Sequence, residues 1–391
     1  MTTSTERRLE QRGRAYALMV LATLLILLAA CSRSKQEGLR VIHIATAGTM
    51  HEGQLTVTSQ SARVAEEGFL ARELEKRGMR LEWHYVPGNL GGPGYTEALA
   101  NETVEFASYA DLPALIGKAG GAPSRLIVPY GGGGNSYLVV GKDSTARSIV
   151  DLKGKRVAFQ RGRPAELPFT KLIRAHQLKI EDFRVYNLAS EAGQAALIAG
   201  RVDAYFGGMD AHMLEEKGVG RIIWSTKEPA GGTSIARSRV DLYARADFAR
   251  DEPEITQLVA TAYVRAAYWQ AEEENQSAVY RVLSRPGTPE RVHRKDQEGE
   301  TISWRDRWSP LYDEFLYDHF RAAAAVMLER KLIQKSVDID EFLEPRFARQ
   351  ALRDLQIEGF WSPRPPSGDG GVSVARAPME ARGASEPAAG K

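Results

Sequence analysis

From Leu39 to Gly208, short apolar runs rich in β-branched residues alternate with amphipathic segments, and few folds accommodate that pattern. "LRVIHIA" (39–45) reads as a buried strand. "SARVAEEGFLARELEKRG" (61–78) sets Val64, Phe69, Leu70 and Leu74 near one face of a helix that ends at Gly78. "MRLEWHYVP" alternates as a strand, "EALANE" is helical, and "VEFASY" is a strand. "DLPALIGKAG" is a helix with Asp111 placed as its N-cap, and "SRLIVPY" is a strand. Strand–helix alternation with short connections predicts an α/β fold with largely parallel pairing.

The alternation then restarts. "SYLVVG" (136–141) and "KRVAFQ" (155–160) read as strands and "LPFTKLIRAHQL" (167–178) as a helix. "FRVYNL" and "VDAYFGG" are strands on either side of the helical "SEAGQAALIAG". "ALANETVEFASYADLPAL" (98–115) lies over "ALIAGRVDAYFGGMDAHM" (196–213), with Asp111 and Asp210 offset by one position. This weak internal echo suggests two similar lobes, each presenting a helix start at a strand end. Beyond about residue 235 the chain turns helical. In 251–276 a stripe of Ile255, Leu258, Val259, Ala262, Ala266 and Trp269 is a core face, and 310–333 and 337–355 continue the helical part. From Ser362 to Lys391 the composition is Pro, Gly, Ala and Ser with few large apolar residues, which predicts a disordered tail.

The N-terminus carries a different signal. Arg7, Arg8, Arg12 and Arg14 precede the uncharged run "AYALMVLATLLILLAA" (15–30), which falls short of the about 20 residues of a spanning helix. A basic stretch, an apolar stretch and small residues are the parts of a signal peptide. Leu28-Ala29-Ala30-Cys31 resembles a bacterial lipobox, in which the cysteine becomes the first mature residue and carries lipid. Cys31 is the only cysteine of the 391 residues, so no intrachain disulfide is available to it. The other reading is an uncleaved anchor with an incidental cysteine. Both readings place the body in the periplasm or at the cell surface, attached to a bacterial membrane. The expected organisation is a lipoprotein signal peptide (1–30), a tether (31–38), a first lobe (39–130), a second lobe (131–230), a helical return to the first lobe (231–361) and the tail (362–391). With residues 1–30 set aside, basic and acidic residues balance at 48 each, which excludes a nucleic-acid binder built on a clustered basic surface.

Residues 148–208, "SIVDLKGKRVAFQRGRPAELPFTKLIRAHQLKIEDFRVYNLASEAGQAALIAGRVDAYFGG", resemble the second lobe of ABC-transporter substrate-binding proteins of the aliphatic sulfonate, taurine and nitrate group. Asp151–Ala158 and the run Ala195–Ala204 carry that resemblance most clearly. "EALANETVEFASYADLPALIGKAGG" and "PLYDEF…LERKLIQKSVDIDEF" agree with it, so that it covers about residues 39 to 357. The resemblance implies a two-lobed, type II periplasmic-binding-protein fold with a mixed sheet in each lobe and a hinge of two crossing strands. It also implies a monomer that binds a small anionic solute in its cleft and delivers it to a permease served by a separate ATPase. An enzyme of desulfinase or pyrimidine-precursor-synthase type on the same fold, or a subunit feeding a sensor, are the alternatives. Relatives of the desulfinase kind use a cysteine nucleophile.

Ligands of open α/β sheets sit beyond the carboxyl ends of strands, where helix N-termini offer N–H groups to anions. The candidate contacts are therefore Gly48, Thr49 and His51 after the first strand, Ser108 and Tyr109 after the third, and Asn135 and Ser136 near the first crossing. In the second lobe they are Gln160, Arg161, Gly162 and Arg163, with Gly208 and Asp210 at the later turn. The family's turn before the second-lobe helix carries a small hydroxyl residue where this chain has Arg163-Pro164, and the later turn lacks the aromatic and proline found around its Asp. Two extra cations and a missing aromatic fit a bulkier solute or one with a carboxylate. The seven histidines show no H-x-x-x-H pair, no phosphate-loop or nucleophile-elbow motif occurs, and neither a metal nor a cofactor is expected.

Overall fold

A computed structural model describes residues 39–365 apart from 89, 132, 229–236 and 285–287. The signal-peptide segment, Cys31, the tether and the tail beyond residue 365 lie outside the described residues. Among those described, no helix is long and apolar enough to cross a membrane.

Among the described residues, twelve strands form two five-stranded sheets and one hairpin. They are β1 (Arg40–Thr46), β2 (Gly48–His51), β3 (Gln54–Val57), β4 (Met79–Tyr85), β5 (Phe106–Ala110), β6 (Ser124–Val128), β7 (Tyr137–Gly141), β8 (Arg156–Phe159), β9 (Arg184–Asn187), β10 (Ala204–Gly207), β11 (Gly220–Ser225) and β12 (Val240–Arg245). The first sheet runs β4-β1-β5-β12-β6, with β1 parallel to β4 and β5 and with β12 antiparallel to both of its neighbours. The second runs β11-β7-β10-β8-β9, with β8 parallel to β9 and β10 and β7 antiparallel to both of its neighbours. Both sheets are mixed, and buried clusters cover them: Ile42, Phe106 and Tyr263 lie in one for the first lobe, Val157, Phe159 and Phe169 in one for the second.

The chain leaves the first sheet after β6 and returns at β12, and the two connections meet at an antiparallel bridge between Gly134 and Ser238. The long helix Pro253–Ala271 begins with proline, which forfeits no helical N–H at that position, and buries Val259, Tyr263 and Ala267 against the first sheet. The helix Glu314–Glu329 starts under an Asp313 cap that accepts from the Leu316 amide, and it buries Phe320 and Met327 in the first lobe's other cluster.

Three local expectations are corrected. The single helix expected over 61–78 is two, Ser61–Glu67 and Phe69–Glu75, because Gly68 takes φ 66° and ends the first turn of hydrogen bonding in the left-handed region. Asp111 does not cap its helix from outside. It is the first helical residue, fully buried, with Oδ1 accepting from the Leu112 amide and Oδ2 2.7 Å from His319 Nε2. The chain also stays anchored past Ser362: the Arg364 amide and Nε both donate to Asp313, and the guanidinium covers the Phe315 ring.

Candidate functional site

The parallel strands β1, β4 and β5 point their carboxyl ends the same way, and a cavity of about 310 Å³ opens there. Gly48 lines it after β1, Val86 and Pro87 after β4, and Ser108 and Tyr109 at the end of β5. Thr58 and Ser59, just beyond the β2–β3 hairpin, also border it. The helix Gly91–Ala100 starts at its edge without a side-chain cap; the Gly91 amide donates to the Pro87 carbonyl at 3.3 Å, and Pro93 carries no N–H. Tyr95 from this helix stacks on Tyr109, ring centroids 5.0 Å apart at 6°. Burial pushes the Tyr109 phenol well above its ordinary range, Thr96 opposing. Ser108 Oγ is buried without a well-aligned hydrogen bond, with the Tyr263 hydroxyl, which pairs with Ser61 at 2.7 Å, close by.

The remaining wall comes from the second lobe. Arg163 reaches across and presses its guanidinium on Gly91, where a Cβ would lie 1.6 Å from Arg163 Nη2. Only glycine leaves that space, and at φ 51° only glycine adopts the backbone without strain. Arg163 is half-buried, and burial pulls it below its ordinary pKa. No carboxylate pairs with it among the described residues. A half-buried cation thus stands at a helix start without a side-chain cap, a set of donors chemically suited to an anion.

The family profile described as NMT1/THI5 like matches residues 85–277. The periplasmic sulfonate-binding protein SsuA of Methylobacillus flagellatus KT is 39% identical to this chain, with 84% of this chain and 98% of that one covered and a TM-score of 0.76. The chain belongs to the NMT1/THI5-like family. It is homologous to SsuA-type binding proteins of ABC transporters and shares their two-lobed fold. A protein of Escherichia coli (strain K12) described as an aliphatic sulfonates-binding protein is 27% identical over 177 residues, which is 42% of this chain and 56% of that relative. The match thus spans little more than half the length of that curated relative. The fold also carries chemistry elsewhere: the desulfurization enzyme DSZB aligns at 16% identity and a TM-score of 0.58, over 81% of this chain and 99% of that one.

Within this family member, four of the residues expected to touch ligand line the cavity: Gly48, Ser108, Tyr109 and Arg163. The others lie elsewhere. Thr49 and His51 belong to the hairpin β2–β3, with His51 exposed. Asn135 and Ser136 are buried in a hinge network. Asn135 Nδ2 donates to Asp296 (3.2 Å) and Glu300 (3.0 Å), and Thr226 Oγ1 donates to Asn135 Oδ1 and accepts from the Ser136 amide, both at 3.0 Å. Gln160, Arg161 and Gly162 form the turn that carries Arg163. Arg161 borders a different cavity of about 710 Å³, with Thr170, Lys179 and Lys331 among its lining residues. In the wall of that larger space Arg174 is paired with Glu329 and Arg330 with Glu166.

Gly208 and Asp210 close the turn after β10. The Asp210 carboxylate accepts from Ser190 Oγ, Gln194 Nε2 and the Tyr205 hydroxyl, so it is held by side chains beside the helix Ser190–Ile198. At the other second-lobe helix start, Gly162 N–H donates to Glu166 Oε2 at 3.0 Å. From the second lobe, Arg163 is the residue that lines the cavity. Sequence reasoning missed Gly91, Tyr95, Thr58 and Ser59. A signal for the first two was present in "GGPGY" (91–95) directly after a strand, since a proline in a first turn marks a helix start.

Proposed function

We propose that this chain is the extracytoplasmic solute-binding component of an ABC importer and that it captures a small anionic organic solute, sulfonate-like, between its lobes. The observation that carries the reading is Arg163, a half-buried cation without a carboxylate partner among the described residues, at a helix start without a side-chain cap, beside the buried Ser108 hydroxyl. A sulfonate keeps its charge at any physiological pH and offers three acceptor oxygens to such a set of donors. The names of the relatives point to the same solute class. A permease and a separate ATPase are the partners, since the sequence contains no phosphate-binding loop. A lipid on Cys31 would hold the protein at the membrane. A thiol-dependent reaction on the same fold has no support in the cavity, because the chain's one thiol lies outside the described residues.

The test is a thermal-shift screen of the full chain against sulfonates, sulfate esters, nitrate, carboxylates and pyrimidines, followed by calorimetry on the hits. A true ligand at about 100 times its Kd stabilises the fold by roughly 2.7 kcal/mol. Stabilisation by pyrimidines or nitrate with no response to any sulfonate would overturn the assigned solute class.

A further inference from the structure

Glu166 is fully buried although it is a carboxylate, and its contacts come from both lobes. Within its own lobe, the Glu166 amide donates to the Arg163 carbonyl at 2.8 Å, and its Oε2 accepts from the Gly162 amide at 3.0 Å. The residue therefore grips the turn on both sides of Arg163. From the first lobe, Arg330 brings Nη2 to 3.1 Å from Glu166 Oε1. This is a charge contact without hydrogen-bond alignment, and it leaves that oxygen no other partner. Arg161 Nε stands 4.0 Å from the other oxygen.

Arg330 directly follows the helix Glu314–Glu329, whose Phe320 and Met327 belong to the first lobe's core. The same seam is sealed by two more contacts. Leu167, next to Glu166, is buried in the first lobe's cluster with Leu316 and Phe320, while Phe169 of the same helix packs in the second lobe's. Arg174, further along, pairs with Glu329. A buried carboxylate needs a countercharge, and Arg330 supplies the nearer one from across the lobes, with Arg161 of its own lobe further off.

We propose that Glu166 and Arg330 are positioning residues for Arg163: the ion pair across the lobes fixes the turn that aims Arg163 at Gly91, so closure and presentation of the anion-reading guanidinium are one event. The inference rests on the solute-binding reading above for its ligand, but not for its geometry. Because the pair exists only in the closed arrangement, it acts on release of the solute rather than on encounter.

The experiment uses the full chain, ethanesulfonate as probe, and the variants Arg330→Gln, Arg330→Lys and Glu166→Gln. Stopped-flow binding is expected to show dissociation about tenfold faster in Arg330→Gln with association within about twofold of wild type, and substantial recovery in Arg330→Lys. Glu166→Gln, which keeps an acceptor for the Gly162 amide but loses the charge, is expected to behave as Arg330→Gln does. In an Arg163→Ala background, Arg330→Gln is expected to have little further effect, the mark of two residues acting as one unit. Equal dissociation rates in wild type and Arg330→Gln, or full additivity with Arg163→Ala, would overturn the proposal. Hydrogen exchange supplies a readout that needs no ligand: the peptide covering 160–166 should exchange faster in Arg330→Gln while the Pro253–Ala271 helix stays unchanged. A uniform rise across the chain would mean general destabilisation and would also overturn it. If wild type fails to bind ethanesulfonate, exchange at 160–166 alone decides the latch, and the wider sulfonate screen decides the solute class.

Discussion

Arg163 and Gly91 make one device from two lobes, and each half can be tested against the other. A charged hydrogen bond contributes about 1.5–3 kcal/mol, against about 0.3–1 kcal/mol for a helix end acting on a negative charge. The guanidinium should therefore dominate, and Arg163→Ala is expected to weaken anion binding roughly 10- to 100-fold at about 1.4 kcal/mol per decade. The fold should persist, because removing a half-buried side chain beside a cavity leaves no sealed void. Calorimetry on the pair of proteins reads this directly, and unchanged affinity would show that the helix amides suffice. Gly91→Ala should fail differently. Its new methyl would meet the mobile end of Arg163 at 1.6 Å, so the arginine retreats and affinity falls. The positive φ adds a stability cost of roughly 1 kcal/mol. Combined with Arg163→Ala, the glycine substitution should lower the melting temperature as before and change affinity no further. If the two affinity losses simply add, Gly91 acts through the helix start and not through Arg163.

At the level of elements, the hinge is held by charges the cavity does not use. Glu300, with its side chain 1% exposed, meets Arg237 at 2.6 Å, and Arg307 stands 2.7 Å from Asp296, which also accepts from the Tyr137 hydroxyl at 2.6 Å. Burial alone would raise Glu300, but the close Arg237 charge contact, with the Asn135 hydrogen bond, holds it from an ordinary 4.5 down to about 2. A carboxylate depressed in the folded state stabilises it above the unfolded pKa and loses that contribution as pH falls through the folded one. The cluster should thus lose of order 2 kcal/mol, after a discount for solvent screening, between about pH 4.5 and pH 2. Glu300→Gln is expected to be less stable at pH 7 and to show a flatter stability profile across that window in denaturant titrations. A wild-type profile that is already flat there would count against the cluster. This hinge also marks where the sequence stopped being legible. Strands such as β1 and β5 announced themselves as apolar β-branched or aromatic runs, because burial on both faces writes a local pattern. Asn135 and Ser136 were placed correctly at the crossing, but their partners Asp296 and Glu300 lie more than 150 residues away, and no periodicity links them. The same holds at the cavity. Arg163 stood out as a cation in a turn, whereas Gly91 and the Glu166–Arg330 contact join segments whose proximity only the assembled lobes create. The hairpin β2–β3 escaped notice for the opposite reason: its strands are short, half-exposed and carry little apolar signal.

At the scale of the whole molecule, Cys31 is where this chain would be tied to a membrane. The seven residues between Cys31 and Leu39 span at most about 3.5 Å each, so a lipid on Cys31 would keep the first strand within roughly 25–30 Å of the bilayer. A single acyl chain gives only marginal attachment, so stable anchoring needs more than one. Expressed in a bacterial host, wild type is expected in the membrane fraction, labelled by radioactive palmitate and shortened by its leader. Cys31→Ala should take up no label and keep the leader, and its apolar run would then hold it to the membrane in unprocessed form. The informative comparison is therefore label and mass together rather than location alone. Membrane-bound wild type of full mass and without label would assign the run 15–30 to a permanent anchor and leave Cys31 without a role.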